Sequence, residues 1–201
     1  MPRPLSPEAV AEFRLRLCQQ AEILFAQGGE QAVTMRNLAT ALGVSPMTPY
    51  SYFKDKDEIL AAIRASAFTR FAIALETAMA KSADPLTASA LTGQAYIDFA
   101  QAHPAAYRLM FDLCQPNEDS YPELAAASRR ARATMSAHVR GLIGAGMMEG
   151  EPELLGHIFW AALHGAIVLD MAGKLGDGID PVMLRAGIMT AVSRGLGVRR
   201  M

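Results

Sequence analysis

Hydroxyl, aromatic and basic side chains are concentrated between Thr34 and Lys56, in the stretch TMRNLATALGVSPMTPYSYFKDK. Threonine and tyrosine hydroxyls and lysine ammonium groups can bind phosphate oxygens, and small side chains can approach the base edges. This chemistry predicts a segment that contacts double-stranded DNA. The candidate contacts are Thr34, Arg36, Ser45, Pro46, Met47, Thr48, Tyr50, Ser51, Tyr52, Lys54 and Lys56.

Two short helices must position these groups. In the first helix, Met35, Leu38, Ala39 and Leu42 recur at helical spacing. Thr34 can cap its start, and Gly43 can end it because glycine accepts a left-handed conformation. Ser45 and Pro46 are the types preferred at the cap and first position of a second helix. We therefore predict a helix-turn-helix over about residues 34–53.

The stretch from about Ala21 to Ala65 resembles, without gaps, the DNA-binding domain of the tetracycline-repressor (TetR) family. The matching residues are Phe25, Gly28, Gly29, Val33 to Arg36, Leu38, Ala39, Leu42 to Ser45, Thr48, Tyr50, Tyr52, Phe53, Lys54 and Lys56. Pro49 departs from the family pattern, which usually has leucine there. Because Pro49 lies close to the helix start, we expect an altered entry into the second helix rather than its loss.

The composition sets limits on the whole chain. Of its 201 residues 51% are hydrophobic, and the net charge is −1, so any DNA affinity must come from a local patch. Cys18 and Cys114 both lie in helical patterns, which argues against a disulfide framework and favours a reducing compartment. We expect a cytoplasmic protein with no signal peptide and no apolar run long enough to span a membrane.

Helical periodicity continues to the end of the chain, and no strand-like alternation of useful length appears. A long helix is expected from Asp57 to Ala80, with Asp55 as its cap, followed by five more helices. We predict an all-α protein of about nine helices. Residues 1–56 would form the DNA-binding domain, and residues 57–201 a larger domain for ligand binding and dimerisation.

A second resemblance concerns the larger domain. Trp160, His164 and Gly165, together with the segment from His103 to Phe111, are similar to a TetR-type regulatory domain named for a Trp-His-Gly signature. Trp160 and His164 share a helix face, so they could line an apolar pocket. The candidate ligand-binding residues are Phe68, Phe71, Tyr107, Met110, Phe111, Trp160 and His164. The alternative is that Trp160 and His164 are ordinary core residues.

Catalytic and metal-binding patterns fit this sequence poorly. It has no Gly-x-Ser-x-Gly elbow, phosphate loop or dinucleotide fingerprint. His157 and His164 have no carboxylate or cysteine at chelating spacing. We therefore expect neither an enzyme nor a metal or cofactor site.

A recognition helix reads few bases, so two copies are needed for specificity. The last two helices carry apolar stripes that could form the homodimer interface, although both stripes could instead be internal core of a monomer. The candidate interface residues are Phe159, Leu163, Ala166, Ile167, Asp170, Leu184, Ile188, Ala191 and Val192. The resemblance implies a transcriptional repressor released from its operator by a small, mainly apolar effector. The alternative function is a helical ligand-binding or adaptor protein with a vestigial helix-turn-helix.

Overall fold

The computed structural model describes residues 6–112 and 117–199, so predictions that fall on Cys114 lie outside the described part. Within these ranges the secondary structure is entirely helical, which confirms the all-α prediction. Eight α-helices are present there, one fewer than predicted. They are α1 (Pro7–Ala32), α2 (Met35–Leu42), α3 (Lys56–Met79), α4 (Pro85–Ala102), α5 (Pro104–Phe111), α6 (Pro122–Gly144), α7 (Pro152–Met171) and α8 (Pro181–Gly195).

Most of the predicted helix boundaries follow from capping side chains. Thr34 Oγ1 accepts the backbone N–H of Asn37 at 3.1 Å, and Asp55 Oδ1 accepts that of Glu58 at 2.9 Å. Gly43 adopts φ 65° and ψ 33°, the left-handed conformation predicted for the end of α2. Gly28 and Gly29 leave helical geometry inside α1, and one further helical turn follows them before the helix ends.

The second helix of the predicted helix-turn-helix is a 3₁₀-helix over Pro49–Ser51, preceded by a turn. Our expectation of an altered entry alone was wrong. Pro49 has no N–H to donate to the Ser45 carbonyl, so the α-helical bond cannot form at this step. The backbone instead makes shorter-range bonds, from Thr48 to Ser45 at 2.8 Å and from Ser51 to Thr48 at 3.0 Å.

The chain divides into two compact units. The first comprises residues 1–68 and 105–128, and therefore α1, α2, the first part of α3, most of α5 and the start of α6. Its hydrophobic core includes Leu17, Phe25, Leu38, Phe53 and Ile63, all buried. The helix-turn-helix is thus held by apolar contacts within this unit.

The second unit comprises residues 69–104 and 129–201, with the remainder of α3, α4, most of α6, α7 and α8. Val139, Leu142, Leu155 and Phe159 are central to its core. A Cβ atom on Gly156 of α7 would lie 2.6 Å from the Met135 carbonyl oxygen of α6, so only glycine permits this close approach. The compact units divide the chain differently from the predicted boundary at residues 56 and 57, which stays a prediction.

Helix α7 corrects one further expectation, that of no apolar run long enough to span a membrane. It is 20 residues long, with a mean hydropathy of 1.5, and so is long and apolar enough to cross a membrane by length and composition. Leu155, Phe159 and Leu163 of α7 are buried in the second unit, and helices of soluble proteins can have this length and apolarity, so one such helix is weak evidence for a membrane span.

Candidate functional site

The turn between α2 and α3 presents a group of predicted DNA contacts to solvent. Met47 and Tyr50 are 68% and 51% exposed, far more than large apolar or aromatic side chains usually are in a folded core. Pro49 lies between them and is buried, so it anchors the 3₁₀-helix. Ser45, Pro46 and Ser51 are also exposed, and Thr48 is half-buried. This arrangement leaves a short, protruding surface of apolar and hydroxyl groups.

Helix α1 supports this surface from its buried side. The Arg14 guanidinium lies 4.1 Å from the centre of the Phe53 ring and donates to the Tyr52 carbonyl oxygen. The Phe13 and Tyr52 rings pack with their centres 4.6 Å apart. The sequence analysis did not identify the role of Arg14, and its position beside an aromatic residue, Phe13, was the available signal.

Lys54 and Lys56 differ in how their charges are used. Lys54 is exposed, and its ammonium group makes no recorded contact within the described residues. Its backbone N–H donates to Glu58 Oε2 at 2.6 Å, so this N–H is already used within the chain. Lys56 Nζ forms an ion pair with Glu30 Oε1 at 2.6 Å. Lys54 is therefore the better placed of the two to reach DNA.

The first helix of the motif contributes two polar candidates. Arg36 is exposed near the start of α2. The Thr34 hydroxyl oxygen accepts from Asn37 but keeps its own O–H for a donor role. Both groups are compatible with backbone or base contacts at the edge of the surface.

The candidate ligand-binding residues fall into both compact units. In the first unit, the Phe111 ring packs edge-on against Phe68 at 6.0 Å and against Tyr107 at 5.0 Å, measured between ring centres. Met110 is buried in the same unit. The three aromatic residues therefore pack together, and Met110 is a buried apolar residue of the same helix as Tyr107 and Phe111.

The other three candidates lie in the second unit, around a residue that sequence reasoning missed. Trp160 Nε1 donates to Tyr96 Oη at 3.0 Å, and Tyr96 Oη lies 3.4 Å from His164 Nδ1. The Phe71 ring packs edge-on against Tyr96 at 5.1 Å. Tyr96 shares the buried face of α4 with Thr92 and Phe99, so the helical spacing of those residues could have identified it.

Burial affects the titration of two histidines in the second unit. It lowers the pKa of His164, and it lowers the pKa of His138 to about 4. His138 Nδ1 lies 3.0 Å from the Ser89 hydroxyl. Both imidazoles are therefore neutral at pH near 7, which suits hydrogen bonding rather than ion pairing.

The residues of the predicted dimer stripe differ in their burial within the single chain. Phe159, Leu163, Ala166 and Ile167 are buried within the single chain, so they belong to its own core. Asp170 forms an ion pair with Arg185 Nη1 at 2.9 Å, which joins α7 to α8. Leu184, Ile188 and Val192 are half-buried, and Ala191 is exposed.

Exposed apolar residues occupy other positions on the last two helices. Leu154, Ala161 and Val168 recur every seven residues along α7 and are all exposed. On α8, Met183 is 70% exposed. A stripe at this spacing is typical of a helix that packs against another helix.

Metal and thiol chemistry find little support in the parts of the chain that the structure describes. No group of three or more His, Cys, Asp or Glu side chains there could hold a metal ion. Cys18 is a free cysteine, and burial raises the pKa of its thiol to about 11. A protonated, largely covered thiol is a poor nucleophile.

Two family models of known proteins match this chain. A family model described as "Bacterial regulatory proteins, tetR family" matches residues 17–63. A second, described as "Tetracyclin repressor-like, C-terminal domain", matches residues 89–191. Neither description mentions the Trp-His-Gly subclass, which stays a prediction.

Individual relatives extend over most of the chain. An uncharacterized HTH-type transcriptional regulator of Mycobacterium tuberculosis is 27% identical over 177 residues, which are 88% of this chain and 75% of the relative. A solved structure of a protein of unknown function from Rhodococcus sp. RHA1 is 26% identical, with a TM-score of 0.80 over 92% of this chain and 95% of that one. The TetR family transcriptional regulator PfmR from Thermus thermophilus is 24% identical, with a TM-score of 0.69 over 92% of this chain and 100% of its own.

Proposed function

The chain belongs to the TetR family and is a DNA-binding transcriptional regulator rather than an enzyme, and from this premise we propose that it represses transcription as a cytoplasmic homodimer. Repression relieved by a small molecule is typical of the family. The exposed turn between α2 and α3 is the proposed reading surface. This assignment rests on the exposure of Met47, Tyr50 and Lys54, and the Lys54 ammonium group has no partner among the residues that the structure describes.

We propose distinct roles for the exposed groups. Tyr50 and Lys54 bind phosphates on either side of the major groove, and Thr34 adds a hydroxyl contact. Arg36, Thr48 and Met47 lie nearest the base edges, where a methionine side chain suits the methyl group of thymine. Lys56 has a smaller share because Glu30 already neutralises its charge.

The homodimer would form through the exposed faces of α7 and α8. Leu154, Ala161 and Val168 provide an apolar stripe with a small central residue, which permits close helix approach. Met183 adds apolar surface on α8. Two chains related by a two-fold axis would present two reading surfaces to two half-sites, about 34–36 Å apart for one helical turn of DNA.

Effector control would act through the spacing of the two reading surfaces. Helix α3 contributes residues to both compact units, so it is the proposed lever. An apolar effector that favours the wrong spacing would lower DNA affinity by its differential binding free energy, typically about 1–3 kcal/mol. The proposed effector contacts remain Phe68, Tyr107, Met110 and Phe111 in the first unit, and Phe71, Trp160 and His164 in the second unit.

A gel-shift titration with the DNA upstream of its own gene tests the assignment. The proposal expects a discrete complex at protein concentrations where a scrambled duplex of equal length stays free. Equal binding to both duplexes would overturn the proposal of a sequence-specific repressor. In the same assay, Lys81→Ala is the matched control for Lys54→Ala, because it also removes one positive charge but lies in the loop after α3.

A further inference from the structure

A cleft of about 990 Å³ in the second unit is lined by one face of α4 and one face of α8. Leu142, Phe159 and Leu163 contribute buried apolar side chains to it. A volume of this size is at the upper end of the range found for small-molecule sites, about 300–1,000 Å³. None of the aromatic residues proposed above as effector contacts lines this cleft.

The lining combines apolar and positively charged side chains with uncharged polar ones, which are Thr87, Ser89, Gln94, Gln101, Thr190 and Ser193. Ile97 of α4 and Met189 of α8 extend the apolar surface. Arg185 and Arg194 supply positive charge, and no aspartate or glutamate is among the lining residues. Charge and apolarity together select a ligand that is both anionic and hydrophobic.

Arg185 is unusual for an arginine because only 5% of its surface is exposed. Its Nη1 donates to Asp170 Oδ2 at 2.9 Å. A guanidinium has five N–H donors, and no other hydrogen bond from Arg185 is recorded within the described residues. A buried arginine with unused donors gains stability when a second carboxylate binds it.

A purely structural role for Arg185 would be to tie α8 to Asp170 of α7. That role uses one donor and leaves the rest of a nearly buried cation beside an apolar cleft. A hydrophobic residue would cost less there unless the charge had a second use. The open space at Gly93, where an added Cβ would meet nothing within 4 Å, shows that α4 leaves room in the same cleft.

We propose that this cleft binds an amphipathic monocarboxylate. The carboxylate pairs with Arg185, and its apolar body lies against Phe159, Leu163 and Ile97. This binding site goes beyond the proposed function, because ligand binding to it can be measured without DNA. If the repressor assignment fails, ligand binding to this cleft can therefore still be tested. If the cleft binds no ligand, the repressor assignment is unaffected.

Isothermal titration calorimetry of the full chain with octanoate tests the proposal, with octanol and acetate as probes that carry only one of its two features. The variant Arg185→Met should raise the Kd for octanoate at least about tenfold, because a charge-assisted hydrogen bond is lost. Asp170 is partly exposed, so water can solvate it in this variant. Arg140→Met is the matched control, since Arg140 pairs with Glu153 and does not line the cleft.

A second variant tests the cleft without removing charge. Gly93→Phe places an aromatic side chain into the open space and should weaken octanoate binding in a chain whose helical circular dichroism is unchanged. If Arg185→Met fails to fold, octanoate binding by Gly93→Phe still tests the proposed cleft. The proposal is overturned if wild type shows no octanoate binding, if octanol binds as tightly, if the two arginine variants lose affinity equally, or if Gly93→Phe leaves the Kd unchanged.

Discussion

Trp160 Nε1 donates a hydrogen bond to Tyr96 Oη at 3.0 Å, which links α7 to α4 in the second compact unit. Tyr96 is 2% exposed, and its ring also packs against Phe71 and lies within reach of His164. The aromatic residues of this unit are therefore held by a polar contact as well as by apolar packing. The Trp-His pair seen in the sequence depends on this tyrosine.

We expect Tyr96→Phe to lower the free energy of unfolding by about 0.5–1.5 kcal/mol, because a net hydrogen bond is lost while the ring is kept. Trp160 is the only tryptophan in the chain, so its emission spectrum should shift in this variant. Urea unfolding followed by fluorescence measures both effects. Tyr50→Phe, an exposed tyrosine in the first unit, is the control and should change neither.

Stability should fall on mild acidification because of His138. Its pKa is lowered to about 4 in the fold, so the unfolded chain, with a histidine pKa near 6.5, binds more protons between these values. The free energy of unfolding is therefore highest above about pH 6.5. It falls progressively as the pH is lowered towards about 4, by up to about 3 kcal/mol from His138. His164 contributes in the same direction.

Urea unfolding at about pH 7 and about pH 5 measures this loss before most carboxylates titrate. His138→Gln should flatten the pH dependence over that window, whereas His157→Gln, at an exposed position, should leave it as in wild type. An unchanged slope in His138→Gln would show that the histidine is not the source.

The proposed dimer surface predicts that Val168→Glu weakens assembly by placing a charge in an apolar seam. Met183→Glu should act in the same way on α8. Sedimentation velocity at micromolar concentration should show a dimer for wild type and a shift to monomer for either variant. Ile23→Glu alters a similarly exposed apolar residue of α1 and should stay dimeric. A monomeric wild type would refute the interface.

Leu163→Glu answers a different question. Leu163 is 4% exposed within one chain, so a glutamate there would be buried in the core and should unfold the second unit rather than only separate subunits. Loss of helical circular dichroism together with loss of dimer is expected. If Leu163→Glu is instead a folded monomer, Leu163 is part of the dimer interface.

Capping and periodicity predicted most of this fold because each depends on local chemistry. Thr34, Gly43 and Asp55 act where their side chains or backbone freedom indicate. Pro49 was misjudged because the missing N–H matters at the one step where the turn must become an α-helix. On the last two helices two apolar faces compete, and periodicity alone does not say which one the chain itself covers: Phe159 and Leu163 of the predicted stripe are buried within the single chain, and the dimer interface stays a prediction.

Long-range partners were invisible from the sequence for a physical reason. Glu30 pairs with Lys56, and Arg185 pairs with Asp170, across separations that only the packed helices bring together. The sequence around a charged surface residue does not indicate which distant residue will form an ion pair with it. The candidate DNA contacts could be proposed from residue type, but the ranking of Lys54 above Lys56 required coordinates.

Replacing Thr48 should change the base preference more than it changes the overall affinity for DNA. Thr48→Ala removes a hydroxyl and a methyl group from the turn while leaving the exposed tyrosine and lysine in place. We expect the preferred base at one position of each half-site to change, with about 1–3 kcal/mol of discrimination lost there. Selection from a randomised duplex library measures this. An unchanged consensus would mean that Thr48 faces away from the bases.

The proposed function requires that the surface around Lys54 binds DNA. Fluorescence anisotropy with the upstream duplex, titrated over a range of salt concentrations, tests it most directly. Lys54→Ala should weaken binding and reduce the slope of log affinity against log salt by about one, because one phosphate contact is lost. Lys56→Ala should have a smaller effect, and Lys81→Ala none. If Lys54→Ala leaves both the affinity and the salt slope as in wild type, this surface does not contact the DNA backbone.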